Sequence, residues 1–240
     1  EHRFTLSLAC SLVMRTLFFA IAGLMLAGAF ALSGNDQPIQ AAEKWWPFQA
    51  VLANIATFLT IRAFLRREGG SFRELIGYRH HRVSRNLKQF VWLLVVGLAL
   101  GGGSLFLFSY LILGSATPPE LMFQPLPVWA AVLALILFPL TNALVETPTY
   151  IGYALPRIKA ATGKLWVAVW LAGLALAFQH VALPIVMDGP YMLWRFASFI
   201  PLAIALGYMF NRTKNLLPIL LVHFLLDLQL VATVFMNSVG

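Results

Sequence analysis

Acidic residues are scarce in this chain. Its 240 residues include nine Asp and Glu, against 17 Lys and Arg, and only 11% are charged. A soluble domain averages about 25% charged residues. With 60% hydrophobic residues and a mean hydropathy of +0.80, an ordinary water-soluble globule is excluded. Cysteine is also nearly absent. Cys10 stands alone, so an intrachain disulfide framework and a cysteine-based zinc site are both excluded. Internal repeats and low-complexity tracts are lacking. No connection between apolar segments is long enough for a soluble domain.

What is present is a series of apolar runs, each near the roughly 20 residues that cross a bilayer. Seven are expected, at about 14–32, 46–65, 90–113, 126–155, 165–185, 194–210 and 216–236. The fold expected is an all-α, polytopic transmembrane helix bundle forming one membrane domain over 1–240. The first 34 residues have signal-peptide features: Arg15 precedes an apolar run, and Ala29-Phe30-Ala31 resembles a cleavage site. They are read as the first span. With no initiating Met, the numbering is expected to begin inside a longer chain.

Charge sets the expected orientation. Arg62, Arg66, Arg67, Arg73, Arg79, Arg82, Arg85 and Lys88 fall in one connection, which the positive-inside rule makes cytoplasmic. Seven spans bring Arg3, Arg15, Arg157, Lys159, Lys164, Arg212 and Lys214 to the same side, so 15 of 17 basic residues lie there. Lys44 and Arg195 are left opposite. The N-terminus is therefore expected in the cytoplasm, and the location an integral membrane one, the bacterial inner membrane. The net charge of +8 is read as topology and anionic-lipid contact, not nucleic-acid binding. The same holds for His80-His81 in that loop. Trp45, Trp46, Trp92, Trp129, Trp166 and Trp194 are expected as interfacial anchors. Gly101-Gly102-Gly103 is expected as a close-packed or flexible place, and Arg15 as a snorkelling or bundle-paired side chain with no assigned role.

Four ionisable residues remain in apolar surroundings: Glu146, His180, His223 and Asp227. Each costs about 2.5–3.5 kcal/mol at mid-bilayer on insertion scales, so each must find a partner or a function. His223 and Asp227, four apart, share one helical face. At 1.5 Å per residue, His223 lies about 14 Å beyond Lys214, Asp227 about 20 Å, and His180 about 24 Å beyond Lys164. Glu146 joins them if its helix runs on to Arg157 despite Pro148, which a membrane helix tolerates when neighbours re-satisfy the backbone. A buried carboxylate can activate water, and histidines can relay the proton or donate to an oxyanion. His180, His223 and Asp227 are also a three-ligand zinc set with an open position. The expected reaction is peptide hydrolysis by water within the bilayer, with zinc or with no cofactor. Interhelical glue is the competing reading of such residues.

The order Glu, His, His-x-x-x-Asp resembles the CPBP family of intramembrane proteases, also called CAAX-protease and bacteriocin-processing or Abi, with its Rce1-like core. The first family motif, Glu-Glu-x-x-x-Arg-Gly followed by Leu-Pro-Arg, is similar to Glu146-Thr147-Pro148-Thr149-Tyr150-Ile151-Gly152 followed by Leu155-Pro156-Arg157. Phe-x-x-x-His is similar to Leu176 through His180, with Leu in the Phe position. His-x-x-x-Asn/Asp matches His223 and Asp227, and the likeness covers about 126–236. It implies Glu146 as the water-activating base, His180 assisting, and His223 with Asp227 stabilising the oxyanion or completing the site. Family members are described both as metalloproteases and as metal-free glutamate proteases. Thr147 and Ile151 replace the second Glu and the Arg of the first motif, which impairment of catalysis would accompany. The substrate implied is a membrane-associated or lipid-modified peptide or protein. A non-catalytic membrane subunit in a larger complex and a proton-coupled transporter are the rival readings.

Overall fold

In the computed structural model, residues 6–77 and 83–240 are described. Arg3, Arg79, Arg82 and the His80-His81 pair of the charge argument lie outside the described residues. Among the described residues, seven helices are long and apolar enough to cross a membrane: Leu6–Leu32, Trp46–Arg67, Asn86–Leu113, Val128–Thr162, Leu165–Ala182, Gly189–Thr213 and Leu217–Val239. They are numbered as spans one to seven below. The described residues form no strand. The chain is an integral membrane helix bundle, as the apolar runs require.

The fourth span is the structural axis. It packs along the seventh span on one side and the second on the other, and the first span packs on the second. Its continuity past Glu146 is achieved by a wide, π-helical stretch, Pro148–Ala154. Proline has no N–H and clashes with the preceding turn, and widening the turn accommodates it. The helix then resumes as Leu155–Thr162. All of Pro148 to Leu155 is buried, so this irregular stretch is shielded by protein.

One end of the bundle is tied by polar contacts between successive connections. Glu68, just past the second span, accepts hydrogen bonds from Tyr153 Oη at 2.6 Å and from Arg157. Asn215, between the sixth and seventh spans, donates to Asn86 and Gln89 at the start of the third. The ends that carry most of the basic residues are thus brought to one face.

Three expectations change. The first span begins at Leu6, not near residue 14, so Arg15 lies nine residues inside it. The sixth begins at Gly189, with Asp188 capping Tyr191 N, so Arg195 is buried within the bundle. Its guanidinium donates to Leu183 O at 3.0 Å. Trp46 and Trp194 are core residues whose indole N–H groups donate to Met122 O and Leu105 O, whereas Trp92, Trp129 and Trp166 are exposed as belt residues are. Of the three mid-span glycines, only Gly101 is closely packed, against Leu202.

Candidate active site

Glu146, His223 and Asp227 converge between the fourth and seventh spans. His223 Nε2 lies 3.2 Å from Asp227 Oδ2 and 3.7 Å from Glu146 Oε1. Its Nδ1 lies 2.7 Å from Thr147 Oγ1. Asn142, one helical turn before Glu146, donates from Nδ2 to Asp227 Oδ2 at 2.9 Å. The tautomer of His223 sets the roles: with the Thr147 hydroxyl donating to Nδ1, the proton sits on Nε2, near Asp227 and Glu146, and with an Nδ1–H donating to Thr147, Nε2 accepts from Asn142 Nδ2 at 3.3 Å. Thr147, a departure from the family motif, therefore orients the histidine.

The other oxygen of Glu146 faces a cation. Arg15 Nη2 lies 3.2 Å from Glu146 Oε2. This arginine is fully buried. Its remaining hydrogen bonds run to Gln179 Oε1 at 2.5 Å, Asn54 Oδ1 at 2.5 Å and Asn142 Oδ1 at 2.9 Å. Arg15, Asn54, Asn142 and Gln179 were not legible as site residues. Neutral amides do not stand out in a hydropathy profile, and Arg15 looked like the edge of its span.

His180 stands apart from the cluster. It lies in a short 3-10 turn ending the fifth span, with Nδ1 facing the carbonyls of Leu176 and Ala177. Its ring stacks on Phe199 with centroids 3.5 Å apart. It forms no ion pair with Glu146, and its neighbour Gln179 is held by Arg15. The histidine is buried and faces the bundle rather than lipid.

This geometry does not suit the zinc set His180, His223 and Asp227. Zinc needs donors converging at about 2.0–2.2 Å from one point. Among the described residues, no three His, Cys, Asp or Glu side chains cluster in that way. His180 turns one ring nitrogen to backbone carbonyls, and Asp227 is already held by the Asn142 amide.

The side chains of His223 and Asp227 are 16% and 14% exposed, against 5% for Glu146. The cluster is therefore reached from the seventh-span side, with the glutamate at its back.

Residues 127–229 match the family model described as type II CAAX prenyl endopeptidase Rce1-like. The segment is similar to that family. It contains Glu146, His180, His223 and Asp227, in agreement with the motif order. At the level of the family, the match supports a CAAX-type intramembrane protease. No curated protein and no solved structure matches the chain.

Proposed function

We propose that this protein is an intramembrane endopeptidase that hydrolyses a peptide bond of a membrane-associated or lipid-modified substrate. The observation that carries the reading is the split environment of Glu146. One carboxylate oxygen is held by Arg15, and the other faces His223 at 3.7 Å inside an apolar bundle. A carboxylate fixed on one side and open on the other suits a general base.

In this reading, Glu146 Oε1 takes a proton from water, and the resulting hydroxide adds to the scissile carbonyl carbon. His223, protonated on Nε2 and held at Nδ1 by Thr147, donates that N–H to the developing oxyanion. Oriented donors of this type are worth about 3 kcal/mol in other hydrolases. Glu146 then returns its proton to the leaving amine as the C–N bond breaks. His180, whose Nε2 has no hydrogen-bond partner among the described residues, assists at the edge of the site. The basic face of the bundle is proposed to lie in the cytoplasm, in a bacterial inner membrane, so substrate termini would enter from that side.

The test is cleavage of prenylated and unmodified membrane-peptide reporters by purified protein in lipid nanodiscs. Glu146→Gln is expected to lower kcat by about 100-fold or more, and His180→Ala by about tenfold. Unchanged turnover in both variants would sink the proposal.

A further inference from the structure

We infer that Arg15 is a positioning residue for Glu146, and that the first and second spans complete the active site from outside the Rce1-like segment. The inference rests on the protease reading above and names how its base is held. Arg15 lies on the first span and Asn54 on the second, and neither falls within residues 127–229. Both are buried and both reach the cluster.

The direction of every bond follows from one fact: a guanidinium has donors and no acceptor. The groups facing Arg15 must be oxygens, so Oδ1 of Asn54, Oδ1 of Asn142 and Oε1 of Gln179 turn toward it. The amide nitrogens then turn away. Asn54 Nδ2 donates to Thr141 Oγ1 at 3.1 Å and approaches Asn142 Oδ1 at 3.4 Å. Asn142 Nδ2 donates to Asp227 Oδ2 and lies 3.3 Å from His223 Nε2. Arg15 thereby sets the polarity of a network that ends on the His223–Asp227 pair. Through Gln179 it also holds the turn that carries His180.

The contact with Glu146 is single. An arginine that serves only to neutralise a carboxylate commonly meets it through two parallel hydrogen bonds. Here the guanidinium spreads over four side chains from three spans and takes only Oε2. Oε1 is left to face His223. This arrangement fixes the carboxylate without occupying the oxygen that would accept the proton.

The experiment has two readouts. In steady-state cleavage, Arg15→Gln is expected to lower kcat about tenfold or more, with KM within about threefold. Arg15→Lys should recover part of the loss. On a Glu146→Gln background, Arg15→Gln should add no further loss, since the group it positions is gone. The second readout needs no turnover. Labelling by dicyclohexylcarbodiimide, located by mass spectrometry, should reach Glu146 faster in Arg15→Gln than in wild type or Arg15→Lys. Asn54→Leu, which keeps the guanidinium, should show a smaller fall in kcat and gives a test should Arg15→Gln fail to fold.

Full kcat in Arg15→Gln with an inactive Glu146→Gln overturns the inference and leaves the protease reading standing. Unchanged labelling of Glu146 also overturns it, as does wild-type kcat in Asn54→Leu. If wild type cleaves nothing while labelling responds to Arg15 as stated, the protease reading fails and the positioning role holds.

Discussion

The two departures from the family motif have different structural meanings. Thr147 gains a role, because its hydroxyl meets His223 Nδ1 at 2.7 Å. Thr147→Val is expected to lower kcat about tenfold and Thr147→Ser to leave it near wild type, measured on the same reporter. Ile151, in contrast, lies within the π-helical stretch and is fully buried in the apolar cluster. Asp227 acts through an oxygen that accepts from Asn142 and lies against His223. Asp227→Asn can keep an oxygen there and should retain more activity than Asp227→Leu, which strands the Asn142 amide. Equal activity of the two variants would remove Asp227 from the site. At this scale the sequence was informative about charge inside the membrane and uninformative about amides. Glu146, His223 and Asp227 stood out because ionisable groups in apolar spans are costly. Asn54, Asn142 and Gln179 pass as ordinary polar residues of a helix, and only three-dimensional proximity reveals them.

The fourth span carries the largest consequence among the elements. Its continuation past Glu146 and Pro148 was legible from the depth Glu146 needed, while its extension to Thr162 and the widening at Pro148–Ala154 were not. The N-terminal boundary of the first span was misplaced for a physical reason. A hydropathy reading ends an apolar run at a charge, whereas the helix continues because Arg15 finds its partners inside the bundle. The first span also depends on close approach at Gly23. A Cβ there would lie 2.7 Å from Ile185 Cδ1 and 2.8 Å from Gln49 Nε2. Gln49 in turn donates to Phe19 O and Ala182 O, so the clash strikes a buried hydrogen-bonded side chain. Gly23→Val is expected to destabilise the protein by about 1–3 kcal/mol, seen as a lower thermal midpoint in detergent. The Glu68–Arg157 pair is a contrasting case. Both side chains are about one-third exposed. Glu68→Gln should cost no more than about 1 kcal/mol and leave cleavage unaltered.

For the whole molecule, the spacing of apolar runs was enough to give seven spans, and the structure preserves their number and order. The site lies where four of those spans meet, the first, second, fourth and seventh, with the fifth reached through Gln179. The Rce1-like segment supplies the candidate catalytic groups, and the N-terminal spans supply the cation behind them. The proposed orientation can be checked with single cysteines in a Cys10→Ala background. A cysteine near Gly70 should resist an impermeant thiol reagent in intact cells, and one near Ser115 should react. The reverse pattern would invert the topology.

The central claim is that Glu146 activates water for peptide hydrolysis. Its most direct test is cleavage of a membrane-peptide reporter in ¹⁸O-labelled water, with mass spectrometry of the new C-terminus. Wild type is expected to place one ¹⁸O atom in the new carboxylate, and Glu146→Gln to yield no product above the uncatalysed background. Equal product from the folded Glu146→Gln variant would contradict the account, as would cleavage without ¹⁸O incorporation.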